Sequence, residues 1–266
     1  MIYLPKKWLF LAVLFLAGCA GTSKVDQTYA ADGQDSRVQF LIIHFTAENL
    51  EKSLRYLTRG PVSSHYLVTD EPTPRVLRLV EENNRAWHAG VSSWGQHGGL
   101  NASSIGIEIV NLGPVRAADG SVQYQEFPEA QIEAVLKLSK EIVARHGIKP
   151  AHVVGHSDIA PQRKDDPGPR FPWKRFGEAG LILWPDAAQV RERLTVFEAN
   201  LPSVKWVQES LATVGYRVPQ LGEMDAETKR VVKAFQMRYR QSRFDGALDA
   251  ETAALLDVVA TMSAVK

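Results

Sequence analysis

The sequence predicts an α/β fold, a mixed β-sheet flanked by helices, followed by a small C-terminal three-helix domain. Three observations carry this. Up to about residue 198, short apolar runs rich in β-branched residues alternate with stretches of helical periodicity. Some of the apolar runs carry one chemically capable side chain, His44 and His156 at run ends and Glu108 in mid-run. Beyond Leu201-Pro202 only amphipathic helical patterns remain, and Asp-Ala-Glu-Thr occurs twice, at 225–228 and 249–252.

Residues 38–45 (VQFLIIHF) read as a buried strand that ends beside His44. Residues 47–59 then place Leu50, Leu54 and Leu57 at helical spacing and stop at Gly60-Pro61. Residues 64–69 and 76–80 are two short strands joined through a proline-rich turn, a predicted hairpin. Residues 84–101, with Gly95, Gly98 and Gly99, are too irregular for an element and read as a loop that lines a cleft. Residues 104–110 alternate, with Ile105, Ile107 and Ile109 on one face and Gly106 and Glu108 on the other. Strand interiors disfavour Glu, and Gly106 clears space beside it, so Glu108 is expected to point into an open cleft; the duller alternative is a solvent-facing glutamate on an edge strand. Residues 128–146 carry the stripe Ile132, Val135, Leu136, Ile142 and Val143 and end at Gly147, the longest helix of the domain. Residues 152–156 return as a strand that hands His156 to a loop braced by Pro161, Pro167 and Pro169 and carrying Lys164, Asp165 and Asp166. A helix with Val190, Leu194 and Phe197 follows Trp184-Pro185. Asp225 and Asp249 then read as N-caps of the last two helices, behind a first one with Val204, Val207, Leu211 and Val214.

A chain of 266 residues, 45% hydrophobic, holds one full core and a small second domain. Lysine plus arginine (31) nearly balance aspartate plus glutamate (30), so the net charge of +1 gives no argument for nucleic acid as a partner, and none is expected. Lys6 and Lys7 precede an apolar run at residues 8–17, too short to span a hydrocarbon core of about 30 Å, and Leu16-Ala17-Gly18-Cys19 follows. This is an export signal. Its end resembles the bacterial lipobox, which implies cleavage before Cys19 and lipidation of that residue, the only cysteine. Residues 1–18 are then the signal, 19–36 the lipidated cysteine and a polar tether, 37–198 the α/β domain and 199–266 the helical domain. Ala20 in place of Asp implies an outer-membrane lipoprotein facing the periplasm of a Gram-negative bacterium. A monomer is expected.

His44, His156 and a loop carboxylate offer two nitrogens and one oxygen, which suits catalytic zinc with a fourth position open; closed structural sites favour cysteine. Such an ion lowers the pKa of a bound water from about 16 to about 7. Glu108 suits a general base, and Lys164 suits charge developing on a carbonyl oxygen. On residue types alone Asp165 competes equally with Asp166, and among the five other histidines His88 is the strongest alternative ligand.

The segments His44-Phe45-Thr46, Ser63-Ser64-His65-Tyr66, Trp87-His88-Ala89-Gly90 and Ser104-Ile105-Gly106-Ile107-Glu108, together with residues 155–169 (GHSDIAPQRKDDPGP), resemble the type 2 N-acetylmuramoyl-L-alanine amidases. Within the family the chain looks most like the AmiD-like lipoproteins, which share the lipobox and an extra C-terminal domain. The resemblance implies one Zn2+ held by His44, His156 and Asp166, with Glu108 as base and Lys164 as transition-state stabiliser. It also implies substrate contacts at His65, Trp87, His88 and Asn101. The reaction implied is hydrolysis of the amide between N-acetylmuramic acid, or its anhydro form, and L-alanine in peptidoglycan and muropeptides. Ser64 stands where relatives carry tyrosine. The C-terminal part, with Gln208, Gly215-Tyr216, Phe235-Gln236 and Asp245-Gly246, is similar to a small peptidoglycan-binding domain.

Overall fold

The computed structural model describes residues 25–264, so Cys19 and the expected lipobox lie outside the described residues. The chain divides into Met1–Asp35 and Ser36–Lys266. In the first unit residues 25–35 carry no helix or strand. Among the described residues no helix is long and apolar enough to cross a membrane.

In the second unit the elements run β1 (Phe40–Phe45), α1 (Leu50–Arg59), β2 (Tyr66–Val68), β3 (Val76–Arg78), β4 (Ser93–Trp94), β5 (His97–Gly98), β6 (Ser104–Ile109), β7 (Pro114–Arg116), β8 (Val122–Tyr124), α2 (Glu129–His146) and β9 (Val153–Gly155). Six helices follow: α3 (His156–Ile159), α4 (Trp173–Glu178), α5 (Ala187–Ala199) and then α6 (Val204–Val214), α7 (Ala226–Tyr239) and α8 (Ala250–Ala264). The main sheet has the order β3-β2-β6-β1-β9, parallel except for the β2–β3 hairpin. This is the predicted mixed sheet. Several features depart from the sequence expectation, among them α4, which that expectation lacks. The 84–101 segment holds the small β4–β5 hairpin, the β7–β8 hairpin was not foreseen, and His156 opens α3 instead of closing a strand.

The strand period of two divides the core. Leu41, Ile43, Ile105, Ile107, Ile109 and Val153 turn to one face, against Ile132, Val135, Leu138 and Ile142 of α2 and against Phe171, Trp173 and Phe176. Phe40, Ile42 and Val154 turn to the other. There they share one apolar cluster with Val207, Leu211, Val231, Phe235 and Val259 of the C-terminal helices. The helical segment is thus packed into the core of the α/β segment. At Trp94 the contact is close: its ring meets Tyr216 edge-on at 4.9 Å, and Gly95 N–H donates to the Gly215 carbonyl at 2.7 Å.

The sequence repeat at 225–228 and 249–252 has a structural counterpart. Asp225 and Asp249 cap α7 and α8 by accepting from the amides of Thr228 and Thr252 at 2.7 and 2.9 Å. Each Thr hydroxyl is met by a buried glutamine of the preceding helix, Gln208 to Thr228 at 2.9 Å and Gln236 to Thr252 at 3.1 Å. Each glutamine also donates to a loop carbonyl, of Glu223 or Ala247, and accepts a glycine amide, of Gly222 or Gly246. One amide side chain so satisfies the loop that joins its helix to the next, and removing it strands a buried donor and acceptor. Gln236→Ala and Gln208→Ala are each expected to lower the unfolding free energy by about 1–3 kcal/mol. Urea titration of the two variants checks this, and an unchanged midpoint in both would refute the clamp.

Candidate metal centre and active site

The parallel pairing of β1 with β6 sets His44 level with Glu108, and Ile43 pairs with Gly155 of β9, so His156 comes level with His44 one residue on. The loop back from Pro161 brings in Asp166, joined to Pro167 by a cis peptide bond, and its carbonyl accepts from Ser157 N–H at 2.7 Å. Three ligand atoms converge: His44 Nδ1 and His156 Nδ1 lie 3.0 Å apart, and Asp166 Oδ2 is 3.0 and 3.1 Å from them. Among the described residues these form a group of buried side chains able to hold a metal. Atoms bound tetrahedrally at about 2.0–2.2 Å from a zinc ion stand roughly 3.3 Å apart, close to the size of this triangle.

The outward nitrogens fix the tautomers. His156 Nε2 donates to the Ala89 carbonyl at 3.2 Å, which leaves a lone pair on Nδ1 facing the cluster. His44 Nε2 lies 3.0 Å from His88 Nδ1, His88 Nε2 lies 3.2 Å from Ser104 Oγ, and that hydroxyl donates to the Leu100 carbonyl at 2.6 Å. Read back from the carbonyl, which can only accept, the chain makes His44 Nε2 a donor and leaves its Nδ1 a lone pair. Burial, with the neighbouring His156, pushes His44 down to about 4, so it is neutral at pH 7. Burial alone would raise Asp166, but the two histidines beside it hold it well below the usual carboxylate range. Two imidazole nitrogens and a carboxylate oxygen converging on one locus is a donor set that a divalent cation satisfies.

Glu108 lies in a central strand, and the edge-strand alternative falls away. Its Oε2 is buried without a hydrogen-bond partner, and burial, with Asp166 nearby, pushes the carboxyl up to about 8 while Lys164 opposes the shift. With His88, His156, Lys164 and Asp166 it lines a cleft of ≈ 250 Å³ whose rim includes Trp87. A larger groove of ≈ 480 Å³ between Val91–Ser93, Arg163 and Arg217 lacks any such set of ligand atoms, so the chemistry belongs to the smaller cleft.

The other candidates separate cleanly. Asp165 turns away from the cluster to accept from Tyr124 Oη and Lys233 Nζ, both at 3.1 Å. Trp87 is 51% exposed at the cleft, stacked under Arg85 at 4.2 Å. His65 and Asn101, expected as substrate contacts, both engage backbone groups beside the ligands. His65 is fully buried, accepting from Gly106 N–H at 3.0 Å and donating to the Asn84 carbonyl at 3.2 Å. Asn101 Oδ1 accepts the amides of His88 and Ala89 at 3.0 and 2.7 Å, which shapes the loop behind the ligands. His88 lines the cleft but has both ring nitrogens engaged. Ser64, in the place of a tyrosine, donates to the Gly106 carbonyl at 2.8 Å. The space cleared by Gly106 is filled: a Cβ there would meet the His88 ring at 2.6 Å. Sequence reasoning missed Ser104, whose hydroxyl ends the donor chain without a local signal, and Arg163, which ties the carbonyls of Ala89 and Val91 at 2.6 and 2.7 Å.

Comparison with known proteins agrees with this geometry. The sequence pattern of the N-acetylmuramoyl-L-alanine amidase family matches residues 34–169, and that of a peptidoglycan binding domain matches residues 200–256. The N-acetylmuramoyl-L-alanine amidase AmiD of Escherichia coli (strain K12) is 42% identical over 267 residues, 95% of this chain and 96% of that protein. The 1,6-anhydro-N-acetylmuramyl-L-alanine amidase AmpD of Enterobacter cloacae is 37% identical over 38% of this chain and 49% of its own length. Among solved structures, E. coli AmiD in complex with the substrate anhydro-N-acetylmuramic acid-L-Ala-D-gamma-Glu-L-Lys superposes with a TM-score of 0.82 at 40% identity, covering 91% of this chain and 96% of that one. AmpDh3 from Pseudomonas aeruginosa superposes with a TM-score of 0.84 at 38% identity, covering 91% and 99%. A match that runs through both segments, over a fold and a buried ligand cluster built as described, shows that the chain belongs to the N-acetylmuramoyl-L-alanine amidase family.

Proposed function

We propose that this protein hydrolyses the amide bond between the lactyl carbonyl of N-acetylmuramic acid, or its anhydro form, and L-alanine of the stem peptide, in peptidoglycan and its fragments. The observation that carries the reading is the meeting, in one cleft, of three inward lone pairs with an uncompensated carboxyl, Glu108. Family membership and the substrate named in the AmiD complex support the choice of bond.

His44, His156 and Asp166 would hold one Zn2+, which when bound supplies a Lewis acid for the scissile carbonyl and for water. Glu108 takes the proton of the attacking water and passes it to the alanine nitrogen as the C–N bond breaks and the C–O bond forms. Its open Oε2 and weak acidity suit both halves of that transfer. The Lys164 ammonium, in the same cleft, faces the negative charge that grows on the carbonyl oxygen. Trp87 offers a half-exposed ring to the sugar or the peptide. His88 supports the orientation of His44.

Residues 37–198 would form the catalytic domain and 199–266 a wall-binding domain, the latter supported by the peptidoglycan binding pattern. The apolar run and Leu16-Ala17-Gly18-Cys19 support export and lipid attachment at Cys19, with the enzyme on the outer membrane facing the periplasm, acting in wall turnover or recycling as a monomer.

Mass spectrometry of muropeptides digested with the protein is expected to show an intact stem peptide beginning with free L-alanine, lost on chelation and regained with zinc. Cuts inside the stem peptide, or turnover that survives chelation, would sink the assignment. Glu108→Gln is expected to lower kcat by about 10²–10⁴-fold and Lys164→Ala by about 10²–10³-fold, both with zinc affinity close to the parent. A Glu108→Gln enzyme of full activity removes this base. In the metal-free protein the Glu108 carboxyl should titrate at about 8. A carboxyl raised by burial is protonated over more of the pH range, so nearby cationic charge should move its midpoint down. Carbon-13 NMR of the carboxyl with and without zinc reads the shift, and a midpoint unmoved by zinc places the ion elsewhere.

A further inference from the structure

His156 is delivered by a short piece of backbone, β9 followed by the single turn of α3, with little of its own to hold it. What holds it is Asp158, 1% exposed. Its Oδ2 accepts the Gly155 amide at 2.8 Å, closing the turn that starts at His156. The same oxygen receives Arg238 Nη1 at 2.6 Å, and Oδ1 receives the Tyr216 hydroxyl at 2.7 Å. Arg238 belongs to α7 and Tyr216 follows α6. Both lie far along the chain, in the segment whose sequence pattern is that of a peptidoglycan binding domain.

Arg238 reaches further into the same strand. Its Nη2 donates to the Val153 carbonyl at 2.9 Å, and its guanidinium stacks over Trp173 at 4.3 Å. Trp173 in turn presses on Gly155, where a Cβ would meet its ring at 3.1 Å and Pro167 at 2.7 Å. One buried arginine therefore touches the start of β9, the ring packed on its last residue and the carboxylate that closes the following turn. Because Ser157 N–H also donates to the Asp166 carbonyl at 2.7 Å, the turn carries one inward ligand and holds the backbone of a second.

We propose that Arg238 and Tyr216 are positioning residues of the metal centre: acting through Asp158, they fix the 153–158 backbone so that His156 and Asp166 meet His44. The C-terminal helices are on this view a structural part of the active site, whatever polymer they also bind. The proposal rests on His44, His156 and Asp166 being the metal ligands. Apolar contacts between the two segments are spread over a shared core, but the carboxylate partner of buried Arg238 lies in the ligand-bearing turn. Arg240 supplies the comparison within the same fold: it is as buried, but its carboxylate partner is Asp249 of the helical segment itself.

The test uses the full chain with Arg238→Met, Arg238→Lys, Tyr216→Phe and, as a stability control, Arg240→Met. Zinc affinity is read by competition with a chromophoric chelator, and the ligand field by the visible spectrum of the cobalt(II) form, at a temperature where circular dichroism shows every variant folded. Arg238→Met is expected to weaken zinc binding by about 10–100-fold and alter the cobalt band, Arg238→Lys to recover part of the loss, and Arg240→Met to stay within about twofold of the parent. Equal losses in Arg238→Met and Arg240→Met would reduce the effect to general destabilisation and overturn the proposal. If Arg238→Met does not fold, Tyr216→Phe, which deletes one hydroxyl, decides: affinity about threefold to tenfold weaker supports the proposal, and unchanged affinity overturns it. Amide exchange gives a readout without metal. Gly155 and Ser157 should exchange faster in Arg238→Met while Ile42 in the central sheet does not. Unchanged exchange at both overturns the proposal, whereas a parent protein that binds no zinc counts against the ligand reading instead.

Discussion

Everything at the candidate metal centre depends on the register of three parallel strands. Pairing β1 with β6 and β9 puts His44 beside Glu108 and brings His156 level one residue later. A slip of one residue in any of them would turn its functional side chain into the apolar layer under α2. That layer is what prevents the slip. Leu41, Ile43, Ile105, Ile107, Ile109 and Val153 are all buried against it, so the same hydrophobic alternation that stabilises the sheet fixes where the chemistry stands.

Much of this was legible because the strand period of two is a strong local signal. Gly106 and Glu108 on the face opposite three isoleucines, and histidines at the ends of apolar runs, could be read from spacing. Asp166 could not be separated from Asp165 by residue type. The difference lies in which way the 161–169 backbone turns, and in Tyr124 and Lys233, distant residues that draw Asp165 aside. The backbone partners of His65 and Asn101 were not legible either, because a buried polar side chain and a cleft-lining one look alike until their partners are known. Helix α4 was missed for a similar reason: Trp173 and Phe176 are core residues on a segment too short to show a period.

The C-terminal helices were legible as elements and opaque as a body. Their caps and apolar stripes would be the same in a free-standing bundle, whereas the structure spends part of those stripes on Phe40, Ile42 and Val154 of the sheet. No local pattern announces a shared core, since an apolar stripe does not say what it will meet. Arg238 is the clearest sign after the fact. A buried arginine in an amphipathic helix needs a carboxylate, and here the carboxylate belongs to the α/β segment.

The donor chain that runs from His44 through His88 and Ser104 to the Leu100 carbonyl has a thermodynamic corollary. Metal sites commonly load by exchange, each incoming ion displacing protons from its ligands, so that occupancy tracks acidity. Here His44 is held neutral with its proton committed to the outer nitrogen, His156 is oriented likewise by the Ala89 carbonyl, and Asp166 is held ionised. A cation reaching His44 near neutral pH therefore meets a ligand nitrogen already bare. That ligand then adds no proton release to uptake of the ion, and the pH dependence of loading falls to the other groups of the cluster.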